Sequence, residues 1–475
     1  MTNTLLLTFY GDDFTGSTDA MEALTFGGVP AALFLTPPQP HHLQGRFAGL
    51  AAIGMAGASR SMSPAQMDDE LRPKFEALRR LGAPLVHYKV CSTFDSSPEV
   101  GSIGHAADVG QSIFHSPFVP MVVGAPVLRR YVTFGNLFAT VEGETYRLDR
   151  HPTMSRHPVT PMHESDLRRH LARQTWRTVH SFDLLALSGA QDDVTARFAE
   201  LLARQPDIVL FDTVDDEHLR RIGRLLWTAA QGRSGDSPLY AVGSSGVEYA
   251  LIRHWQATGQ VTPPTLSNEP GPVDQLIVMS GSGSPITAEQ ITWAERHGFA
   301  ALRLDAAALI DPDCAEEESR RAVREALTVL AQGRSLVLYS AHGPDDPALA
   351  ATKARGAELH IEPSLVGPRL AARQGEILRT LLQETGLRRA CIAGGDTCSH
   401  ATPVLGIFYA LEAVVPIAPG GPQPLCGGRS CPRRAGTVTE RWAGGEGGLF
   451  WADSGREIEG KRGGGRCASI GGGTG

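Results

Sequence analysis

Apolar residues in this chain fall in short, nearly unbroken runs. These occupy residues 5–9, 29–35, 51–56, 85–90, 121–125, 208–212 and 239–242, and again 275–279, 336–339 and 390–393. Between them lie stretches with helical spacing, at residues 19–24, 67–81 and 166–177 and onward from Val247. Unbroken apolar runs are what parallel strands buried on both faces require. Strands alternating with helices predict an α/β fold built on largely parallel sheets flanked by helices. Residues 262–272 interrupt this rhythm with four prolines in eleven positions, which neither a helix nor a central strand accommodates. Two domains are therefore expected, 1–260 and 275–420. Residues 421–475 form a third, aberrant segment.

Composition narrows the function. The 475 residues carry a formal net charge of -7 and are 42% hydrophobic. That balance argues against a general nucleic-acid binder. No run approaches the roughly 18 apolar residues of a membrane span, and the N-terminus lacks a basic leader. Seven scattered cysteines without a C-x-x-C pair fit a reducing cytoplasm. Cys91 is expected to be a small buried thiol.

The chemistry is concentrated where strands end. The first run stops at Gly11-Asp12-Asp13-Phe14-Thr15-Gly16-Ser17-Thr18-Asp19. Three aspartates and three hydroxyls repel a bare phosphate but suit sugar hydroxyls or a mobile proton. The plainer reading is a capped helix start, since Asp and Thr are ordinary N-caps, but adjacent aspartates exceed what a cap needs. The motif is no P-loop, because serine follows Gly16 where lysine is needed. The third run leads to Ser59 and Arg60. The fourth leads through Lys89 to Ser92, Thr93 and Asp95. A parallel sheet brings these loops to one edge, where the cations can hold a carboxylate and the acids can hold hydroxyls. Residues 147–162 add two His-Pro pairs and three arginines, a stiff polar loop suited to a lid, a clamp or a structural role. The Gly243-Ser244-Ser245-Gly246 turn reads as close strand–helix packing without a ligand.

In the second half, residues 275–279 open into Ser280-Gly281-Ser282-Gly283-Ser284-Pro285. Pro285 fits a first helical turn, and Thr287 with Gln290 matches a capping box. A Gly/Ser turn at a helix N-terminus offers backbone N–H groups and a positive dipole end to phosphate. The run at 390–393 ends in Gly394-Gly395-Asp396-Thr397. Two such turns in one domain suggest a nucleotide lying across neighbouring strand ends. Joining a polyhydroxy-acid domain to a nucleotide domain points to phosphoryl transfer, with magnesium and a carboxylate base.

Together, Gly11–Gly16, Ser59–Ser61, residues 88–95, His157–Met162, Ser280–Ser282 and Gly394–Thr397 resemble the four-carbon acid sugar kinase family. The resemblance implies ATP-dependent phosphorylation of a terminal hydroxyl on a short sugar acid such as a 3-oxo-tetronate, threonate or erythronate. It maps ATP contacts onto Ser282, Gly394, Gly395, Asp396 and Thr397. The substrate residues expected are Asp19, Arg60, Lys89, Ser92, Thr93 and Asp95, with Asp13 favoured over Asp12 and Asp95 as catalytic base. Residues 134–138 and 151–156 look closer to a 3-oxo-isoapionate kinase branch. The expected partners are a small sugar acid, ATP and Mg2+, with no nucleic acid and no membrane; self-association stays open.

The last segment departs from that pattern. The family's late Lys-Gly-Gly-x-x-Gly stretch is missing, and 17 of 53 glycines fall in residues 421–475. So glycine-rich a tail has few apolar residues to bury and is expected to be poorly ordered. The alternative that follows is a sugar-acid and nucleotide binder without turnover. A dehydrogenase fits poorly, because the turn at Gly281 lacks the third glycine of Gly-x-Gly-x-x-Gly.

Overall fold

The computed structural model describes residues 5–44, 47–141, 143–157, 159–233, 237–263, 273–406, 410–413, 423–427 and 437–439. The prolines at 264, 270 and 272, and most of the segment from 421, lie outside them. The first half supplies strands β1 (Leu7–Gly11), β2 (Ala31–Phe34), β3 (Ala52–Ala56), β4 (Leu85–Lys89) and β5 (Val119–Val122). It continues with β6 (Arg130–Thr133), β7 (Asn136–Val141), β8 (Glu144–Arg147), β9 (Val179–Phe182), β10 (Ile208–Phe211) and β11 (Leu239–Gly243). The second half supplies β12 (Ile277–Ser280), β13 (Ala300–Arg303), β14 (Leu336–Tyr339), β15 (Ala390–Ala393), β16 (Ala410–Ala413), β17 (Gln423–Gly427) and β18 (Thr437–Thr439).

The first lobe runs β2-β3-β1-β4-β11-β5-β10-β9, with every pairing parallel. Its central strands are wholly buried, as unbroken apolar runs demand. Register aligns Ala56, Gly11, Lys89 and Gly243 in one row. The loops that follow these residues therefore leave from a single edge. The chain diverges on either side of β1, toward β3 and toward β4, and such a switch point is where α/β sheets bind ligands.

The second lobe runs β13-β14-β12-β15, also parallel, with Ser280 in register with Ala393 and Tyr339. The loops after Ser280 and Ala393 thus open side by side. Between the lobes, β16 pairs antiparallel with β2 and with β17, β17 pairs antiparallel with β18, and β18 pairs parallel with β15. The two parallel blocks are thereby joined into one 15-stranded sheet. Two of the joining strands come from the segment after residue 421.

Two local expectations are corrected, and one sheet goes unpredicted. The helix expected over 166–177 is only Leu167–Leu171. Beyond it Gln174 turns inward, its Oε1 accepting from Gly104 N at 3.1 Å and its Nε2 donating to Ser96 Oγ at 3.0 Å. The helix after β12 is capped by Ser284, whose Oγ accepts from Thr287 N at 3.2 Å. Thr287 is thus a residue inside the first turn, and Pro285 opens the helix. Residues 130–147 fold as a three-stranded antiparallel sheet, which the apolar pattern does not reveal because these short strands are mostly half-exposed.

Candidate active site

Asp13 ends the β1 loop as the N-cap of helix Phe14–Phe26, its Oδ1 accepting from Gly16 N at 2.6 Å. The capping role is therefore real, and it uses only one carboxylate oxygen. The other, Oδ2, lies 2.7 Å from Arg60 Nη1. Arg60 comes from the short turn Ser59–Ser61 after β3, and its fork also grips Asp12. Nη2 donates to Asp12 Oδ1 at 2.8 Å and Nε to Oδ2 at 3.1 Å. The Arg60 N–H donates to the Asp12 carbonyl at 3.0 Å as well. Bidentate guanidinium–carboxylate pairs of this kind fix geometry as well as charge.

Burial distinguishes the two acids. The Asp12 side chain is 5% exposed and that of Asp13 is 24%. Burial pushes the Asp12 carboxyl up to about 6, against the pull of Arg60, with Asp13 adding to the rise. Burial disfavours the Arg60 charge, but Asp12 and Asp13 outweigh it and hold the guanidinium well above its ordinary value.

Lys89 ends β4 with no exposed surface. Its Nζ donates to the Val90 carbonyl at 2.9 Å and lies 3.3 Å from Asp19 Oδ2. A methyl group at Gly16 would come within 3.1 Å of that Nζ and 2.6 Å of Asp13 Oδ1. Lys89 and Asp19 thus form a charged layer directly behind the Asp12–Asp13 loop. They act on the loop from beneath rather than from the open surface.

The loop after β4 carries Cys91, Ser92, Thr93 and Asp95. Cys91 is half-buried, and its Sγ accepts from Thr93 Oγ1 at 3.0 Å. Thr93 Oγ1 also reaches Asp95 Oδ1 at 2.5 Å. Ser92, Thr93 and Asp95 are all buried. Asp95 stands close enough to Arg60 to help hold its charge.

Further members join from the His-Pro loop and from the helix beyond it. Thr160, buried, donates toward Asp95 Oδ2 at 3.4 Å and lies 3.0 Å from His157 Nδ1. Its N–H donates to the same nitrogen at 3.1 Å. The His-Pro loop is therefore docked against Asp95. Nearby, His170 Nε2 lies 2.9 Å from both Ser96 Oγ and Gln174 Nε2. Burial pulls its imidazole down to about 4, so it is neutral at pH 7 and can accept the Gln174 N–H. Thr160 and His157 both fall in a stretch already singled out by resemblance; Ser96 and His170 could be found only from coordinates.

In the second lobe the two glycine turns interlock. Gly281 N donates to the Ala393 carbonyl at 3.0 Å. A methyl at Gly281 would collide with Thr397 Oγ1 at 2.1 Å and approach Gln374 Oε1 at 2.9 Å. Gly394 has φ +117, a backbone that side-chain-bearing residues rarely adopt. A methyl there would lie 3.3 Å from Ser282 N. Ser282 and Thr397 are buried, with Ser282 Oγ accepting from Ser284 N at 3.2 Å and from Thr287 Oγ1 at 2.9 Å. Asp396 lies in the first turn of helix Gly395–Val404. Gln374 ties the neighbouring strand ends together, donating to the Ser280 carbonyl at 3.1 Å and toward Ser340 Oγ at 3.4 Å.

The two loop systems meet. A methyl at Gly395 would lie 3.3 Å from Thr15 Oγ1, so the first turn of the second lobe's helix faces the loop that carries Asp12 and Asp13. By contrast, the Gly243–Gly246 turn is closed on itself. Ser244 Oγ donates to the Val123 carbonyl at 2.7 Å, and a methyl at Gly246 would strike the Gly124 carbonyl oxygen at 2.2 Å.

Comparison with known proteins agrees with this division. The family model described as a sugar-binding N-terminal domain matches residues 7–251, and that described as a nucleotide-binding C-terminal domain matches residues 277–438. A 3-oxo-isoapionate kinase of Paraburkholderia graminis is 48% identical over 91% of this chain and 90% of its own. The chain belongs to the four-carbon acid sugar kinase family. It is accordingly a sugar-acid kinase. A 3-oxo-tetronate kinase of Pseudomonas savastanoi pv. phaseolicola is 28% identical over 89% of this chain and 91% of its own. A crystal structure of a Salmonella typhimurium LT2 protein superposes with a TM-score of 0.67 at 25% identity, covering 89% of this chain and 93% of that one. Among the described residues no helix is long and apolar enough to cross a membrane.

Proposed function

We propose that this kinase transfers the terminal phosphoryl group of ATP to a hydroxyl of a branched 3-oxo sugar acid of the 3-oxo-isoapionate type. Linear 3-oxo-tetronates are the second choice. The observation that carries the reading is the approach of the Asp12–Asp13 loop to the Gly394–Gly395 turn, with Thr15 and Gly395 at the seam. The order of relatives supports the branched acid, since the relative bearing that name is 48% identical and the tetronate kinase 28%.

In this reading residues 1–260 hold the acid and residues 275–420 hold the nucleotide. Asp13 accepts the hydroxyl proton, because it is the more exposed of the two acids and keeps lone pairs beyond its cap and its Arg60 contact. Asp12 fixes Arg60, and Arg60 fixes Asp13. Ser92, Thr93 and Asp95 offer hydroxyl and carboxylate partners to the polyol, and Arg60 supplies positive charge for its carboxylate. Lys89 and Asp19 set the field behind the loop.

The residues of the second lobe fit a triphosphate. Gly281 and Gly394 let the two turns pack closely, which brings Ser282 and Thr397 together beside the N-terminus of helix Gly395–Val404. Backbone N–H groups at such a turn suit phosphate oxygens. Among the described residues no cluster of three metal-ligating side chains occurs. Mg2+ commonly takes one or two carboxylates with the phosphates and water. Asp396 would be its protein ligand, and the ion would neutralise phosphate charge.

The test is ADP release by the purified full chain with ATP and a panel of branched and linear oxo-acids. Acid-dependent release, greatest with the branched acid, is expected. Release with none of them, alongside retained nucleotide binding, would favour the non-catalytic alternative.

A further inference from the structure

Three hydroxyl residues follow Asp13 in the first loop, and the fold uses them differently. Ser17 Oγ donates to the Asp13 carbonyl at 2.5 Å, and Thr18 Oγ1 to the Thr15 carbonyl at 3.0 Å. Both are buried and both are spent on their own helix. Thr15 is half-buried. Among the described residues its hydroxyl has no hydrogen-bond partner, and it is the group that faces Gly395 across the seam.

The position is distinctive for a second reason. Thr15 is the second residue of helix Phe14–Phe26, and Gly395 is the first of helix Gly395–Val404. Two helix N-termini, one from each lobe, therefore approach at this point. Each helix start carries partial positive charge, with Asp13 capping the first through Gly16 N. In the kinase reading, a phosphoryl group moving from the nucleotide lobe to the acid lobe would pass beside this point. A donor on the acceptor side binds it better in mid-transfer than while it is still seated among the glycine turns. Only such differential binding accelerates the step.

We propose that Thr15 is a catalytic residue whose hydroxyl donates a hydrogen bond to the phosphoryl group during transfer. The inference rests on the kinase reading above. In the step, the bond from the terminal phosphorus to the oxygen bridging toward ADP breaks, and its electron pair leaves on ADP. The bond from phosphorus to the acid's hydroxyl oxygen forms, and the hydroxyl proton passes to the Asp13 carboxylate. Thr15 exchanges no atoms and stabilises charge on the phosphoryl oxygens.

Thr15→Val keeps the shape and removes the hydroxyl, Thr15→Ala removes it without a replacement methyl, and Thr15→Ser keeps it. The full chain and the three variants are compared by steady-state ADP release, with the KM for each substrate and the thermal midpoint. One lost transition-state donor costs about 100-fold in kcat. A loss of that size is expected in Thr15→Val and Thr15→Ala, with both KM values within about threefold and the midpoint unchanged, while Thr15→Ser stays near wild type. A kcat within about threefold of wild type in Thr15→Val, or a loss expressed only in KM, overturns the assignment and leaves the kinase reading intact. No ADP release by wild type with any acid overturns both.

Discussion

Arg60 is the joint of the first loop, and its replacement by Gln gives a sharp test of the arrangement. The side chain grips Asp12 through two hydrogen bonds, at 2.8 and 3.1 Å, and Asp13 through a third contact at 2.7 Å. Gln keeps part of the volume and loses the charge, leaving Asp12 nearly buried with no guanidinium. Breaking a buried pair from one side costs about 3–5 kcal/mol. Arg60 retains 26% of its side-chain exposure, so water can partly replace it and the lower end, about 3 kcal/mol, applies. For a lobe of this size each kcal/mol moves the midpoint by about 2–4 °C, so the first thermal transition should fall by about 6–12 °C. Scanning fluorimetry or calorimetry reads this directly. Arg60→Lys restores one charge without the planar fork and should recover only part of the loss. A midpoint within about 2 °C of wild type in Arg60→Gln would refute the claim that this guanidinium holds the loop together.

Asp13→Asn should lower kcat by about two or more orders of magnitude while the fold persists, because Asn caps a helix as well as Asp but cannot take a proton; circular dichroism and ADP release check the two halves. Asp12 predicts a pH effect. Its folded value near 6 exceeds its ordinary value of 3.8, so between those limits the folded chain keeps a proton the unfolded chain has released. Its contribution is full below about pH 4 and is lost as pH rises through 6, a change of about 3 kcal/mol. Denaturant titrations from pH 4 to 7 should show that this slope flattens in Asp12→Asn. Gly281→Ala should raise the KM for ATP about tenfold or more, since its methyl would meet Thr397 Oγ1 at 2.1 Å, while the KM for the acid moves little; equal shifts in both would contradict separate lobes.

Much of this arrangement was legible in the residues, for a physical reason. Strands such as β1 and β4 are buried on both faces, so most of their positions are apolar and the run stands out. Their ends stand out as well, because polar clusters at Asp12–Asp13, Arg60 and Asp95 break those runs abruptly. β6 to β8 are short, antiparallel and half-exposed, so nothing in their composition separates them from a loop. The link from Thr160 to Asp95 spans 65 positions, and only the fold brings the partners together. The cap at Ser284 is hard to tell from Thr287 by sequence, because this stretch offers several equivalent hydroxyls. The seam between Thr15 and Gly395 has no trace in either segment taken alone.

The antiparallel ladder of β16, β17 and β18 has a consequence for biosynthesis. The acid lobe has all its own strands once residue 243 has been made, and it can begin to fold on the ribosome while translation continues. The bridge between the blocks waits much longer, because β15 pairs with β18 at Val438, nearly two hundred residues later than β11. The two blocks are therefore joined by strands made well after the first block is complete. A message interrupted shortly after residue 406 would lack all three joining strands, leaving the two blocks to meet where helix Phe14–Phe26 packs on helix Gly395–Val404.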